Sequence, residues 1–209
     1  MEFLFFCYEK RAVILLATLR HVEVSLIAVF LSVLIAVPLG ILITRYRRMA
    51  HLVINSANIG QTVPSLAILG MVIPVLGIGL KPAVFALLLR GVLPIINNTY
   101  SGIVNVDRSV IEAGRGMGMR GRQILTMVEL PLSLSVIMAG IRTATVLSIS
   151  VATLAALIGA GGLGDLIFQG IVMADRNLLL SGSIPTALLA IGADLFLGSV
   201  ERGLRRGAV

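Results

Sequence analysis

The chain has 209 residues, of which 57% are hydrophobic and 13% charged, with a mean hydropathy of +1.03 and a net charge of +7. Soluble domains carry roughly 45–50% apolar and about 25% charged residues, so water is not the solvent for most of this surface. The basic residues flank apolar runs and form no solvated stripe, which argues against a nucleic-acid partner, and the length accommodates about five spans of about 20 residues with no room for an additional soluble domain.

These limits give an all-α fold, a polytopic membrane helix bundle with membrane lipids as its surroundings, in one domain over 1–209. At the N-terminus, MEFLFFCYEKR has an apolar run too short for the core of a signal peptide and is expected to be retained. Glu9 to Arg20 reads as an interfacial helix leading into the first span. Cys7 is the sole cysteine, so neither an intrachain disulfide nor a thiolate zinc cluster is available. His21 and His51 lie far apart without metal spacing and read as membrane-edge residues, so no metal site is expected.

Apolar runs place spans near Val22–Thr44, Thr62–Leu80, Pro82–Val104, Leu132–Ile158 and Leu180–Val200, each long enough to cross about 30 Å of hydrocarbon. Pro38, Pro64, Pro74, Pro82, Pro94 and Pro185 fall in or at the ends of these helices, where neighbours can satisfy a freed carbonyl. Arg45, Arg47 and Arg48 follow the first span, Arg108, Arg115, Arg120 and Arg122 the third, and Arg202, Arg205 and Arg206 the last. The opposite side has Lys10, Arg11, Arg20, Lys81 and Arg176. The positive-inside rule then puts the N-terminus outside and the C-terminus in the cytoplasm.

Between the third and fourth spans lies a polar, glycine-studded loop, about 105–131. Val106, Val110, Ala113 and Met117 recur in it at helical spacing, predicting a short amphipathic helix. Ser109-Val110-Ile111-Glu112 fits a capping box, which would give Glu112 a purely local role. The stretch Glu112 to Pro131, EAGRGMGMRGRQILTMVELP, sets Glu-Ala-Gly three residues before Gly118 and closes on Val128-Glu129-Leu130-Pro131. Its intervals resemble the EAA signature of permease subunits in binding-protein-dependent ABC importers, with Gly114 where a second alanine is usual and Val128 where isoleucine is.

That resemblance implies a type I ABC importer permease with about five transmembrane helices, in a prokaryotic inner membrane. Glu112, Ala113, Gly114, Gly118 and Pro131 would belong to a coupling helix and loop seated in a cleft of a cytoplasmic ATPase. Gly114, Gly116, Gly118 and Gly121 would allow a close backbone approach or a sharp turn. The chain cannot hydrolyse ATP: a Walker A loop needs a glycine-rich turn and a lysine, and Lys10 and Lys81 are the only lysines, neither preceded by glycine. No cofactor is expected here; ATP and Mg belong to partner ATPase subunits. No catalytic residue is expected either.

Gln61-Thr-Val-Pro-Ser-Leu-Ala, Leu93-Pro-Ile-Ile-Asn-Asn-Thr-Tyr-Ser-Gly and Ile158-Gly-Ala-Gly-Gly-Leu-Gly-Asp-Leu-Ile-Phe are together similar to the osmoprotectant branch of these importers, which takes up glycine betaine, carnitine and choline. The resemblance runs from about His21 to Glu201. Arg90 departs from it where an uncharged residue is expected, and Asn97 where a basic one is common. The resemblance implies a second permease subunit as homodimer or heterodimer, two ATPase subunits and a substrate-binding protein. Gln61, Ser65, Asn97, Asn98 and Tyr100 are the candidates to line a polar translocation path.

Arg142 and Asp194 lie within proposed spans, where charge is costly, and read as a structural ion pair. Two other classes remain at this stage. An ion-gradient-driven secondary transporter would place ion ligands on broken helices. Gly162-Leu163-Gly164-Asp165 matches the GxGD string of intramembrane aspartyl proteases, but the expected second aspartate is missing.

Overall fold

A computed structural model describes residues 2–206, leaving aside the side chains of Arg47 and Arg206. Its elements are α1 Glu2–Glu9, α2 Arg11–Ile43, α3 Arg47–Thr62, α4 Ser65–Leu76, α5 Leu80–Val104, α6 Arg108–Gly116, α7 Gly121–Ile124, α8 Leu130–Ala155, α9 Leu163–Met173 and α10 Arg176–Arg206. There is no strand among the described residues. Four stretches are long and apolar enough to cross a membrane, namely α2, α5, Gly121–Ile158 and α10, and the α3–α4 pair makes up to five if it counts as one.

Several boundaries differ from the sequence reading. The interfacial helix expected over Glu9 to Arg20 is not a separate element, because α2 runs unbroken for 33 residues. No glycine or proline interrupts the ladder near Arg20, and at 1.5 Å per residue α2 is about 50 Å long. His21, read as a membrane-edge residue, is enclosed within the bundle. It is 1% exposed, with Nε2 2.9 Å from the carbonyl oxygen of Ile149 in α8, so the ring crosslinks α2 to α8 as an Nε2–H donor.

The second span, expected at Thr62–Leu80, is a bent pair: α3 and α4 meet at 100°. Pro64 explains the break, since it disfavours helical backbone in the preceding residue, and Val63 is extended at φ −69°, ψ 126°. The fourth span begins earlier than Leu132. Here α7 passes through a π turn, Leu125–Glu129, directly into α8, with the amide of Leu130 donating to Leu125 O. Pro131 and its missing N–H thus sit where the ladder changes register. The segment after the fourth span contains α9, missed in the sequence because its 11 residues cannot reach across a bilayer and a glycine-rich run precedes it.

Small residues set the packing. Ala28, Ala83, Ala86, Ala152 and Ala155 share one buried cluster with Leu69 and Leu87; Ala36, Ala50 and Ala144 share another with Ile43, Ile95 and Ile96. The helices approach so closely that a Cβ at Gly140 of α8 would stand 2.6 Å from Asn98 Cβ of α5. In lipid, where apolar surface gains nothing by leaving hydrocarbon for protein, such close contact is a main source of helix association. Ser32 adds an interhelical polar tie, its hydroxyl lying 2.7 Å from Ala28 O and 3.2 Å from Leu88 O.

Candidate functional site: the polar loop and the intramembrane polar groups

The polar loop forms a helical hairpin. Asp107, not Ser109, caps α6: its carboxylate accepts from the Ser109 amide at 2.9 Å, and that bond holds the Asp107 carboxyl below the usual range. The capping box expected from Ser109 and Glu112 therefore does not form; Asp107 takes the free amide of Ser109 and starts the helix two residues earlier. Glu112 and Ala113 are exposed.

At the other end α6 closes in a Schellman arrangement. The Met119 amide donates to Gly114 O at 3.0 Å and the Gly118 amide to Arg115 O at 2.9 Å, with Gly118 left-handed at φ +80°. Gly114 is buried beneath this turn, and a Cβ there would stand 3.2 Å from Met119 Sδ. By contrast, nothing lies within 4 Å of a Cβ at Gly116, Gly118 or Gly121. Backbone conformation, not crowding within the chain, is what asks for glycine at 118.

Most of the apolar stripe expected to make α6 amphipathic does not pack on its own chain. Val106 is buried, but Val110 is 41% and Met117 77% exposed. Val110 also borders a cleft of about 500 Å³ together with Val128, Pro131, Leu132 and Leu204. One face of the hairpin is thus apolar, exposed and edged by the last signature residue. The sequence reading missed Glu129, which is 6% exposed and pairs with Arg45 from the α2–α3 corner. Its signal was its setting, a carboxylate enclosed by Val128 and Leu130 beside a membrane span.

The five candidate path residues do not converge on one cavity. Arg90 of α5 donates from Nη1 to Gln61 O at 2.9 Å, which satisfies a carbonyl at the C-terminal end of α3 and suits the negative end of that helix dipole. This accounts for a charge at a position where none was expected. Asn97 Nδ2 donates to Asn58 Oδ1 at 3.2 Å, so Asn97 and Gln61 both belong to the α3–α5 contact. Ser65 opens α4 and is half-buried. Asn98 turns the other way, into the α5–α8 contact, and donates to Pro94 O. Tyr100 packs against the cluster around Ile43 and Ile96. A cavity of about 410 Å³ opens inside the α3–α4 bend, lined by Ser56, Gly60, Met71, Arg90 and Leu93 among others.

Arg142 of α8 meets two carboxylates of α10. Its Nε and Nη2 donate to the two oxygens of Asp194 at 2.6 and 2.8 Å, and Nη1 donates to Glu201 Oε2 at 3.2 Å. The aspartates offer no catalytic dyad: Asp165 opens α9, Asp175 accepts from the Asn177 and Leu178 amides, Asp107 caps α6 and Asp194 is paired. Among the described residues no group of three His, Cys, Asp or Glu side chains could hold a metal. Asp165→Asn should leave membrane proteolysis at background level, and loss of a reproducible cleavage product on that substitution would count for a protease.

Residues 36–206 match the family model described as binding-protein-dependent transport system inner membrane component. The chain is 48% identical to a carnitine transport permease protein of Listeria monocytogenes, over 98% of this chain and 94% of that protein. It is 49% identical to a choline transport system permease protein of Bacillus subtilis (strain 168), over 91% and 88% of the two chains. Among solved structures, the fold is similar to a chain of an inward-facing methionine ABC transporter, with TM-score 0.79 and 20% identity over 91% of this chain and 96% of that one. It is also similar to a chain of an amino acid ABC transporter, with TM-score 0.75 and 15% identity over 97% of each.

Proposed function

This chain belongs to the family of binding-protein-dependent transport system inner membrane components, and from that membership we propose that it is the membrane-spanning permease of an ATP-driven importer of quaternary-ammonium osmoprotectants. The subunit is not an enzyme, and its place is the inner membrane. Glycine betaine, carnitine and choline are the substrates named for its relatives at 48–49% identity, and they share a trimethylammonium group.

The observation that carries the coupling role is the exposed apolar face formed by Val110 of α6 and Met117 at its C-cap, beside Glu112 and Ala113 of the signature. A helix that turns apolar side chains away from its own chain suits a groove on another subunit. We assign that groove to a cytoplasmic ATPase that binds ATP and Mg, with Gly114 and Gly118 shaping the hairpin and Pro131 at its exit. Two ATPase subunits, a second permease subunit and a substrate-binding protein complete the assembly. The N-terminus then lies outside and the C-terminus inside, as the distribution of basic residues favours. Of the proposed polar lining, Gln61, Ser65 and Asn97, which stand around the α3–α4 bend, are the candidates we keep for the path.

Selection of the cationic headgroup belongs to the binding protein. Trimethylammonium groups are held by cages of aromatic faces, and this chain has no Trp, three Tyr and seven Phe. Of these, Phe3, Phe5, Phe6 and Tyr8 crowd into α1, and Tyr8 already stacks on the guanidinium of Arg11, 4.5 Å from its ring centre.

The test is reconstitution. The purified chain alone should hydrolyse no ATP, because it has no phosphate-binding loop. Vesicles that also contain its ATPase and are supplied with its binding protein should accumulate labelled glycine betaine, carnitine or choline in an ATP-dependent manner. ATP turnover by preparations shown free of ATPase subunits, or uptake driven by an ion gradient without them, would overturn the reading.

A further inference from the structure

The Arg45–Glu129 ion pair joins two parts of the chain that are 84 residues apart. Glu129 closes the π turn, and its carboxylate is nearly sealed from solvent, with a side-chain exposure of 7%. A buried carboxylate without a partner is strongly unfavourable, so this one holds its counterion firmly. Both nitrogens of the Arg45 fork reach it, Nη1 to Oε1 at 3.4 Å and Nη2 to Oε2. Such two-point pairing fixes direction as well as distance.

Arg45 sits in the three-residue corner, Thr44 to Tyr46, between α2 and α3. Glu129 is the last residue of the hairpin segment that supports α6, because Ile124 and Met119 pack beneath Gly114. The π turn matters here. One residue beyond the α-helical count rotates what precedes it by about 100° relative to α8, and at the junction Glu129 faces inward while Pro131, two residues on and so nearly opposite on the helix, is exposed. A continuous path results: α6 packs on Met119 and Ile124 at Gly114, the π turn carries the backbone from Ile124 to Glu129, the ion pair crosses to Arg45, and the corner residue Tyr46 leads into α3 and the 100° bend to α4.

We propose that this pair is the mechanical link by which displacement of the α6 hairpin reaches the α2–α3 corner and so the bent α3–α4 pair. Arg45 and Glu129 are positioning residues for transport, and the inference rests on the permease reading above. A static staple would need the same pair for assembly only. A link needs it for the yield of transport per ATP.

The experiment uses the complete importer in vesicles, with co-purification, ATP hydrolysis and uptake of labelled glycine betaine, carnitine and choline measured on the same preparations. A wild-type complex that takes up none of the three would count against the permease reading, not against the link. With an active wild type, Arg45→Gln and Glu129→Gln should still assemble and hydrolyse ATP, while uptake per ATP falls about tenfold, the scale of losing a charge-assisted pair. Arg45→Lys keeps the charge but loses the fork and should fall by roughly threefold. The exchange Arg45→Glu with Glu129→Arg should recover part of the ratio. Unchanged uptake per ATP in the neutral variants overturns the proposal. If those variants do not assemble, an unchanged ratio in Arg45→Lys overturns it equally.

Discussion

Replacing Gly118 with leucine should leave the membrane spans inserted while uncoupling ATP hydrolysis from uptake or preventing assembly with the ATPase. Gly118 is the left-handed residue that ends α6, at φ +80°, and an L-residue with a Cβ pays about 1–2 kcal/mol in that region. Nothing in this chain lies within 4 Å of the new side chain's Cβ, so the substitution acts through the turn or through a partner. A cost of that size depopulates the closed hairpin by a factor of roughly 5–30. Gly118→Asn separates the two routes, because asparagine tolerates left-handed backbone yet carries a side chain. Recovery of coupling by asparagine would locate the requirement in the turn; failure of both variants would locate it at a surface where the partner's backbone approaches. The measurements are co-purification and binding-protein-stimulated ATP hydrolysis together with uptake. A Gly118→Leu protein that inserts, retains its ATPase and transports at the wild-type rate would remove the loop from the coupling role.

Much of the bundle was legible because lipid imposes one requirement, a continuous apolar helix, that composition reveals directly. The third span, read as Pro82–Val104, is α5, and the last extends beyond its reading at both ends to Arg176 and Arg206. Where the reading faltered, a local rule outweighed hydropathy. Pro64 and the extended Val63 bend the second span, and α3 escaped notice because its polar face lowers its mean hydropathy. His21 was read as a membrane-edge residue because it lacks metal spacing and stands just before the apolar run that begins at Val22. Its burial depends on Ile149, 128 positions away, which no local pattern reports.

The polar loop shows the same division. The spacing from Glu112 to Pro131 is a property of the sequence, and so is the glycine at 118. The capping residue was misjudged by two positions because Asp107 and Ser109 both suit an N-cap, and only geometry decides between them. The partner of Glu129 was invisible for a different reason: a π turn rotates the segment, and nothing in the residue string LTMVE announces one.

Arg142 is where loss of a single side chain should damage the bundle most. It neutralises Asp194 through two hydrogen bonds and Glu201 through a third, and its guanidinium lies so close over α10 that a Cβ at Gly198 would stand 3.0 Å from Nη1. Arg142→Leu leaves two carboxylates unneutralised on one helix face at membrane depth, where ionised groups are costly. Asp194→Asn leaves Arg142 with Glu201 still in reach. The first should therefore lower the amount of inserted protein by about several-fold, and the second by less, through the ordinary dependence of abundance on stability. Replacing all three with leucine removes every unpaired charge and should restore accumulation, since an apolar substitute for a whole ionic cluster is often neutral. Transport by that restored protein then decides what the cluster is for. Uptake at the wild-type rate would make it structural alone, whereas a well-inserted triple variant without uptake would place the α8–α10 face on the path. Arg142→Leu protein that accumulates and melts like the wild type would show that these charges do not hold α8 to α10.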